Sequence, residues 1–405
     1  MTKLPQRTIA KANLGDRSLF PHLSCTAYLA HAAIAPLSDP VCDRIAEVTH
    51  AYARGGMTGF VEWAPRLQDV RQTFADYIGA DPHEIAFVSN TTHGVIDIAF
   101  GLPWKKGDRV IVFDGEFPAN VTPWQQAAEE FQLELCWQSL EPFHRSKAEG
   151  LAELERALER GIRLVTVSAV QYKTGLRMPM PEIAVLCRRY DAELFVDAIQ
   201  AVGASPIDVS CGIDYLSTGS HKHLMGAEGA GFLYVAEKCA AKCRPRLAGW
   251  LSHQDPIEFL IGDEPRLHYD NPLKTNAEVF EIGTANVVGF AALGASIELL
   301  SQFEQGAIHA HVNTYLDALE QGLVARGFSS HRSASPSLRS TLLSVELPEG
   351  VPLMRLSKAL GKRGVICNTP DGLMRFAPHW PNHLDEVTQI LAAVDQALVE
   401  IGVRA

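Results

Sequence analysis

The amino-acid sequence predicts an α/β fold: a large domain on a mostly parallel seven-stranded sheet between helices, then a smaller α+β domain. Three observations carry this. From about residue 84, short β-branched runs alternate with helix-like segments. The runs are continuously apolar rather than alternating, as suits a sheet covered on both faces. After Gly289 the rhythm changes to a long helical stretch and then a few strands and helices.

The runs are "EIAFVS" (84–89), "RVIVFD" (109–114), "LELCW" (133–137), "RLVTVSAV" (163–170), "ELFVDAI" (193–199), "DYLST" (214–218) and "GFLYV" (231–235). Helical patterns such as "GLAELERALER" and "PEIAVLCRRY" lie between several of them. The second unit starts with a helix over 289–304 and beyond. It continues through "TLLSVELP", a helix near 353–361, "GVICN", "LMRFAP" and a final amphipathic helix from about 384. The first 65 residues, punctuated by Pro and Gly, read as an irregular arm packed on the small domain. The boundaries therefore fall at 1–65, 66–289 and 290–405.

With 405 residues, 47% apolar and 20% charged, the chain has the make-up of a soluble globular enzyme. A net charge of -11 argues against a nucleic-acid partner. The N-terminus has no apolar core of signal-peptide length, and the most apolar stretch, "VVGFAALGASIELL", is broken by Glu298, so no membrane span is expected. Eight scattered cysteines lack paired metal spacing, which predicts reduced thiols, a cytoplasmic location and no metal.

In an open α/β sheet, ligands bind beyond the carboxyl ends of the strands. After the first run come Thr91 and Thr92 at a helix start, where free N–H groups and the helix dipole suit a phosphate. A plain helix cap is the alternative. Phe117 follows the second run and taken alone reads as a core aromatic. Gln171, Tyr172, Lys173 and Thr174 follow the fourth, too polar for a core. Asp197 lies inside an apolar run, where an unpaired carboxylate is expensive, and Gln200 follows it. A protonated ring nitrogen would satisfy Asp197; capping a neighbouring loop is the alternative. Lys222 comes after the next run, among Ser217, Thr218, Ser220, His221 and the glycines 226, 229 and 231. A lysine in a partly desolvated site loses its proton readily and becomes a nucleophile toward aldehydes.

The segment "VDAIQAVGASPIDVSCGIDYLSTGSHKHLMGAEGAGFLYV" resembles the signature of the class V aminotransferase family of pyridoxal 5'-phosphate (PLP) enzymes, fold type I. That family includes cysteine desulfurases, isopenicillin N epimerase-like proteins and kynureninase relatives. "YLAHAAIA", "NTTHG", "EFPANVTPWQ", "FEIGTAN" and "MRFAPHWPN" extend the resemblance over nearly the whole chain. It implies that Lys222 forms a Schiff base with PLP and then moves the substrate proton. Asp197 would pair with the pyridinium nitrogen, Gln200 would donate to the phenolic oxygen, and Gln171 would add a further contact. Thr91 and Thr92 would hold the phosphate, helped by Ser217, Ser220 and His221. Arg375 would bind the substrate α-carboxylate. Thr284 would reach the phosphate of a neighbouring subunit, implying a homodimer.

Some positions depart from desulfurases. Phe117 stands where they stack a histidine, and Gly219 where they place a serine. The interval "GVICNTPDGLMRF" is too short for their cysteine-bearing mobile loop, and Cys367 reads as a structural thiol. The reading is therefore an aminotransferase or epimerase-like enzyme acting on an amino acid. The alternatives are a C–S lyase on a cysteine conjugate or its sulfoxide, and cysteine desulfurase. A dinucleotide-dependent oxidoreductase lacks its Gly-rich turn after the first strand. A catalytically silent relative is at odds with Lys222, Asp197 and Arg375 standing together. His31, Met57, Tyr172, Lys173 and His379 are candidates for the pocket wall.

Overall fold

The computed structural model describes residues 10–260 and 270–402. Its strands in chain order are β1 (Ala27–Tyr28), β2 (Ile85–Val88), β3 (Arg109–Phe113), β4 (Glu134–Gln138), β5 (Leu164–Ser168), β6 (Glu193–Asp197), β7 (Tyr215–Gly219), β8 (Gly231–Val235), β9 (Ser329–Ser330), β10 (Leu343–Glu346), β11 (Val365–Ile366) and β12 (Met374–Phe376). Each of the seven expected runs forms a strand of one sheet, ordered β2-β8-β7-β6-β5-β3-β4. Only the two pairings of β8 are antiparallel.

The continuous apolar runs have the expected consequence: β5, β6, β7 and β8 are buried at every residue. Helices Thr122–Phe131, Lys147–Leu158 and Met180–Arg189 supply crossovers between parallel strands, whereas Thr91–Gly101 carries the chain from edge strand β2 across to β3. Strand order reverses between β3 and β5, because β4 lies outward of β3 while β6 and β7 extend the other way. Segments leaving the carboxyl ends of β3, β5 and β6 meet at that switch point.

The smaller unit pairs β10 antiparallel with β9 and β12, and adds helices Ala307–Val324, Leu353–Gly361 and Glu386–Glu400. The arm reaches this unit. Strand β1 pairs in parallel with β11, Ala30 bridges Ala377, and Asn382 Nδ2 donates to the Tyr28 carbonyl at 3.2 Å.

Two expectations change. Residues 1–65 are not irregular throughout, since helices Asp39–Gly55 and Met57–Trp63 lie within them; residues 1–9 fall outside the described residues. The Pro and Gly that suggested irregularity mark helix ends: Pro40 sits in the first turn, where its missing N–H is harmless, and Gly56 caps the last. Val41, Val48 and Ala51 form the buried face of the first helix, which packs on helix Val287–Leu300. That second helix runs through residue 289 and also packs on helix Arg66–Ile78. Packing therefore changes character after Leu300 rather than at 289.

Candidate active site

Asp197 ends β6, in cross-strand register with Ser168 of β5 and Ser217 of β7. It is 2% exposed, and its Oδ1 accepts the Ile199 N–H at 3.0 Å. Burial pushes its carboxyl up to about 7; the Ile199 bond opposes this, the Glu116 charge adds to it and the Lys222 charge opposes it. Lys222 lies in the turn after β7, which a Met225 N–H to Lys222 carbonyl bond of 2.9 Å closes. Desolvation pushes its amine down to about 8, with Asp197 pulling it back up and Arg375 pushing it further down.

Phe117 leaves the end of β3, 47% exposed, with its ring centre 5.7 Å from Lys222 Nζ. Tyr172 meets it edge-on at 5.2 Å. Arg375, on β12, is 5% exposed and donates from Nη1 to the Tyr172 carbonyl at 2.5 Å; its Nε is buried without a partner. Burial pushes its guanidinium down to about 10. Lys173 pairs with Asp371 beside it.

Helix Thr91–Gly101 begins behind this cluster. Asn90 Oδ1 caps the His93 N–H at 2.9 Å, whereas Thr91 Oγ1 is buried with no partner. Gly219 faces the same spot: a Cβ there would lie 3.2 Å from Thr91 Oγ1 and 3.6 Å from His221 Nδ1. A helix N-terminus, an unused hydroxyl and a half-buried imidazole make an anion cradle that a side chain at 219 would crowd. Thr92 is half-buried in the same first turn.

Not every expected residue turns toward this space. Ser217 Oγ donates to the Thr91 carbonyl at 2.9 Å, and Ser220 Oγ donates to the Ala227 carbonyl. Both hydroxyls are thus committed to backbone, fixing the helix start and the glycine-rich turn. Thr284 is exposed. Met57 is 58% exposed on a helix of the arm, whereas His31 and His379 are fully buried. Gln200 is buried, with Nε2 donating to the Ala32 carbonyl at 3.0 Å.

Glu116 was not singled out from the sequence. It is 7% exposed and accepts Ser168 N–H at 2.7 Å, Ser168 Oγ, and Gln171 Nε2 at 2.9 Å. Burial raises its pKa against those hydrogen bonds. It orients Gln171, whose Oε1 is left buried without a partner. The available signal was an acid placed immediately before Phe117 at a strand's carboxyl end.

The family model for aminotransferase class-V matches residues 27–373. The chain is 26% identical to the uncharacterized aminotransferase YcbU of Bacillus subtilis, over 92% of this chain and 94% of that one. It is 30% identical to a cysteine desulfurase of Escherichia coli (strain K12 / DH10B), over 70% of this chain and 71% of that one. Among solved structures, the cystine C–S lyase C-DES, in complex with its product cysteine persulfide, superposes with a TM-score of 0.82 at 22% identity. That match covers 93% of this chain and 98% of the other. Family match, sheet topology and the setting of Lys222 agree, and the chain belongs to the aminotransferase class-V family of PLP-dependent enzymes.

Proposed function

We propose that this site binds PLP through Lys222 and acts on the α-amino group of an amino acid, in the aminotransferase or epimerase-like branch of the family. The observation that carries the reading is Lys222 itself: a desolvated amine near pKa 8, set between the charges of Asp197 and Arg375. The donor set fits the cofactor. Thr91, Thr92, His221 and the cradle at Gly219 suit a phosphate, and a pyridinium would favour the ionised form of the buried Asp197, whose carboxyl burial pushes up to about 7. When bound, the group supplies a covalent anchor for an amine and a ring that accepts the electrons of a broken Cα bond.

The chain's own groups do the rest. Asp197 ionises readily against a cation and holds a proton on the ring nitrogen. Phe117 covers the space above Lys222 with an apolar ring that cannot exchange protons. Arg375 presents a buried guanidinium to a carboxylate, while its bond to the Tyr172 carbonyl fixes the fork. Lys222 Nζ would take the Cα proton and return it; return to a cofactor carbon would give amino transfer, whereas inversion would need a proton delivered to the opposite face of Cα by a second donor. Exposed Thr284 suits a contribution to a second copy's site. Leu247 and Leu260, 60% and 56% exposed in the segment whose Gly249 packs on the Ile282 carbonyl, suit a homodimer contact. The eight free thiols support a cytoplasmic location.

The experiment is PLP loading followed by borohydride reduction and an amino-acid panel with product analysis. Wild type should be yellow and fix the cofactor on Lys222, and Lys222→Ala should not. Keto acid or the D-isomer supports the proposal, whereas pyruvate with ammonia favours the lyase. A wild type that takes up no PLP overturns the reading.

A further inference from the structure

His31, His223 and His379 form a buried row beside Lys222, contributed by the arm, the turn after β7 and the segment after β12. They are 1%, 0% and 0% exposed. The His223 and His379 rings stack at 5.7 Å and 26°, and His379 lies 5.4 Å from His31. The rings stack rather than converge, and among the described residues no group of His, Cys, Asp or Glu could hold a metal ion.

Burial most strongly opposes protonation of His223, and the neighbouring His31, Lys222 and Arg375, each positive when charged, oppose it further. Neutral imidazole has one donor and one acceptor nitrogen, so partners fix the tautomer. The Ala377 carbonyl can only accept, so His31 carries its hydrogen on Nδ1, 2.9 Å away. Gln200 donates from Nε2 to the Ala32 carbonyl at 3.0 Å, which turns its Oε1 toward His223. A flipped amide would face two oxygens at that distance. His223 must therefore donate from Nε2 to Gln200 Oε1, at 3.2 Å. The backbone is shaped to allow this approach. Gly203 has φ +99°, and a Cβ there would lie 2.2 Å from the His223 carbonyl oxygen.

We propose that His223 is a positioning residue: its Nε2–H, held by stacking on His379, locks the Gln200 amide so that the second amide hydrogen stays free for the phenolic oxygen of PLP. This rests on the PLP reading above. A donor at that oxygen weakens its hold on the proton at the Lys222 nitrogen. Losing the donor's orientation should therefore raise the pH midpoint of the visible absorption change of the loaded protein.

The test compares loaded wild type, His223→Leu and His223→Gln. The leucine variant should raise the midpoint by about one pH unit and lower kcat more than it raises KM. The glutamine variant, which keeps an N–H at similar reach, should return the midpoint most of the way. An unchanged midpoint in His223→Leu, or no rescue by Gln, overturns the proposal. Nitrogen NMR of histidine-labelled wild type, without cofactor, is independent of variant folding. It should show His223 as the Nε2–H tautomer; an Nδ1–H tautomer or an imidazolium near neutral pH overturns the proposal. A colourless wild type would instead sink the PLP reading, while the NMR result would still judge His223.

Discussion

Before cofactor binds, Lys222 should titrate near 8 rather than 10.5, because desolvation disfavours its charged form and Arg375 adds to that, with Asp197 opposing. At pH 7 its neutral, nucleophilic fraction is then about 300-fold that of an ordinary lysine. Asp197→Asn removes the one attraction that favours the charged amine and should move the midpoint further down, by about one unit or more. Arg375→Gln should move it up. The assay is the initial rate at which apoprotein couples pyridoxal at each pH, trapped with borohydride and located by peptide mass. The same shift has a stability consequence with a definite sign. A depressed lysine pKa costs the folded apoprotein up to about 3 kcal/mol below pH 8, relieved as pH rises from 8 toward 10.5. Lys222→Met should therefore stabilise apoprotein at pH 7, with the gain fading toward pH 10.5. A wild-type midpoint at or above 10, or an upward shift in Asp197→Asn, would refute this electrostatic account.

Arg375→Ala should raise KM for α-carboxylate substrates about tenfold or more, from loss of a charged hydrogen-bonding fork, with a smaller effect on amines lacking the carboxylate; equal effects on both would remove Arg375 from substrate binding. Glu116→Ala strips the acceptor from Ser168 N–H, Ser168 Oγ and Gln171 Nε2, and should lower stability to denaturant by about 2–4 kcal/mol; a loss under about 0.5 kcal/mol would show that water satisfies them. Cys367→Ala should leave turnover unchanged in every assay, because its thiol is pushed up to about 12 by burial; loss of sulfur release from cysteine in that variant would reverse the assignment.

The sheet and the central pair of site residues were legible because both follow from one-dimensional rules. A strand buried on both faces must be apolar throughout, so a polar residue at its end, such as Asp197 or the Lys222 turn, stands out. Helix Asp39–Gly55 was not legible in that way. Only Val41, Val48 and Ala51 of its residues are buried, and its remaining surface is polar enough to resemble a loop. The seryl hydroxyls show a different limit. Ser217 and Ser220 flank the anion cradle in sequence, but which acceptor each reaches depends on how closely the Thr91 and Ala227 carbonyls approach, a tertiary fact. Glu116 and His223 escaped for a related reason, since each acts through another side chain, Gln171 or Gln200, that is distant in sequence.

The relatives carry names from aminotransferase to desulfurase, and the segment joining β11 to β12 bears on which chemistry this chain can perform. A desulfurase must bring a protein thiolate to the substrate sulfur and carry the sulfur away. Here Asn368 and Arg375 exchange backbone bonds of 3.1 and 2.7 Å, closing the intervening residues into a short hairpin around the turn at Pro370–Gly372. Cys367 sits immediately before that clamp, so its reach is set by the position of Arg375, which is itself held by the Tyr172 carbonyl. With its thiol near 12, the thiolate present at pH 7 is on the order of one part in a hundred thousand. Reach and ionisation are thus both restricted at Cys367. The same hairpin that restrains Cys367 fixes the Arg375 backbone, and the Tyr172 carbonyl holds its side chain. On the proposed reading, the segment that would carry a desulfurase's mobile cysteine instead presents a guanidinium, and bond-breaking at Cα would fall to Lys222.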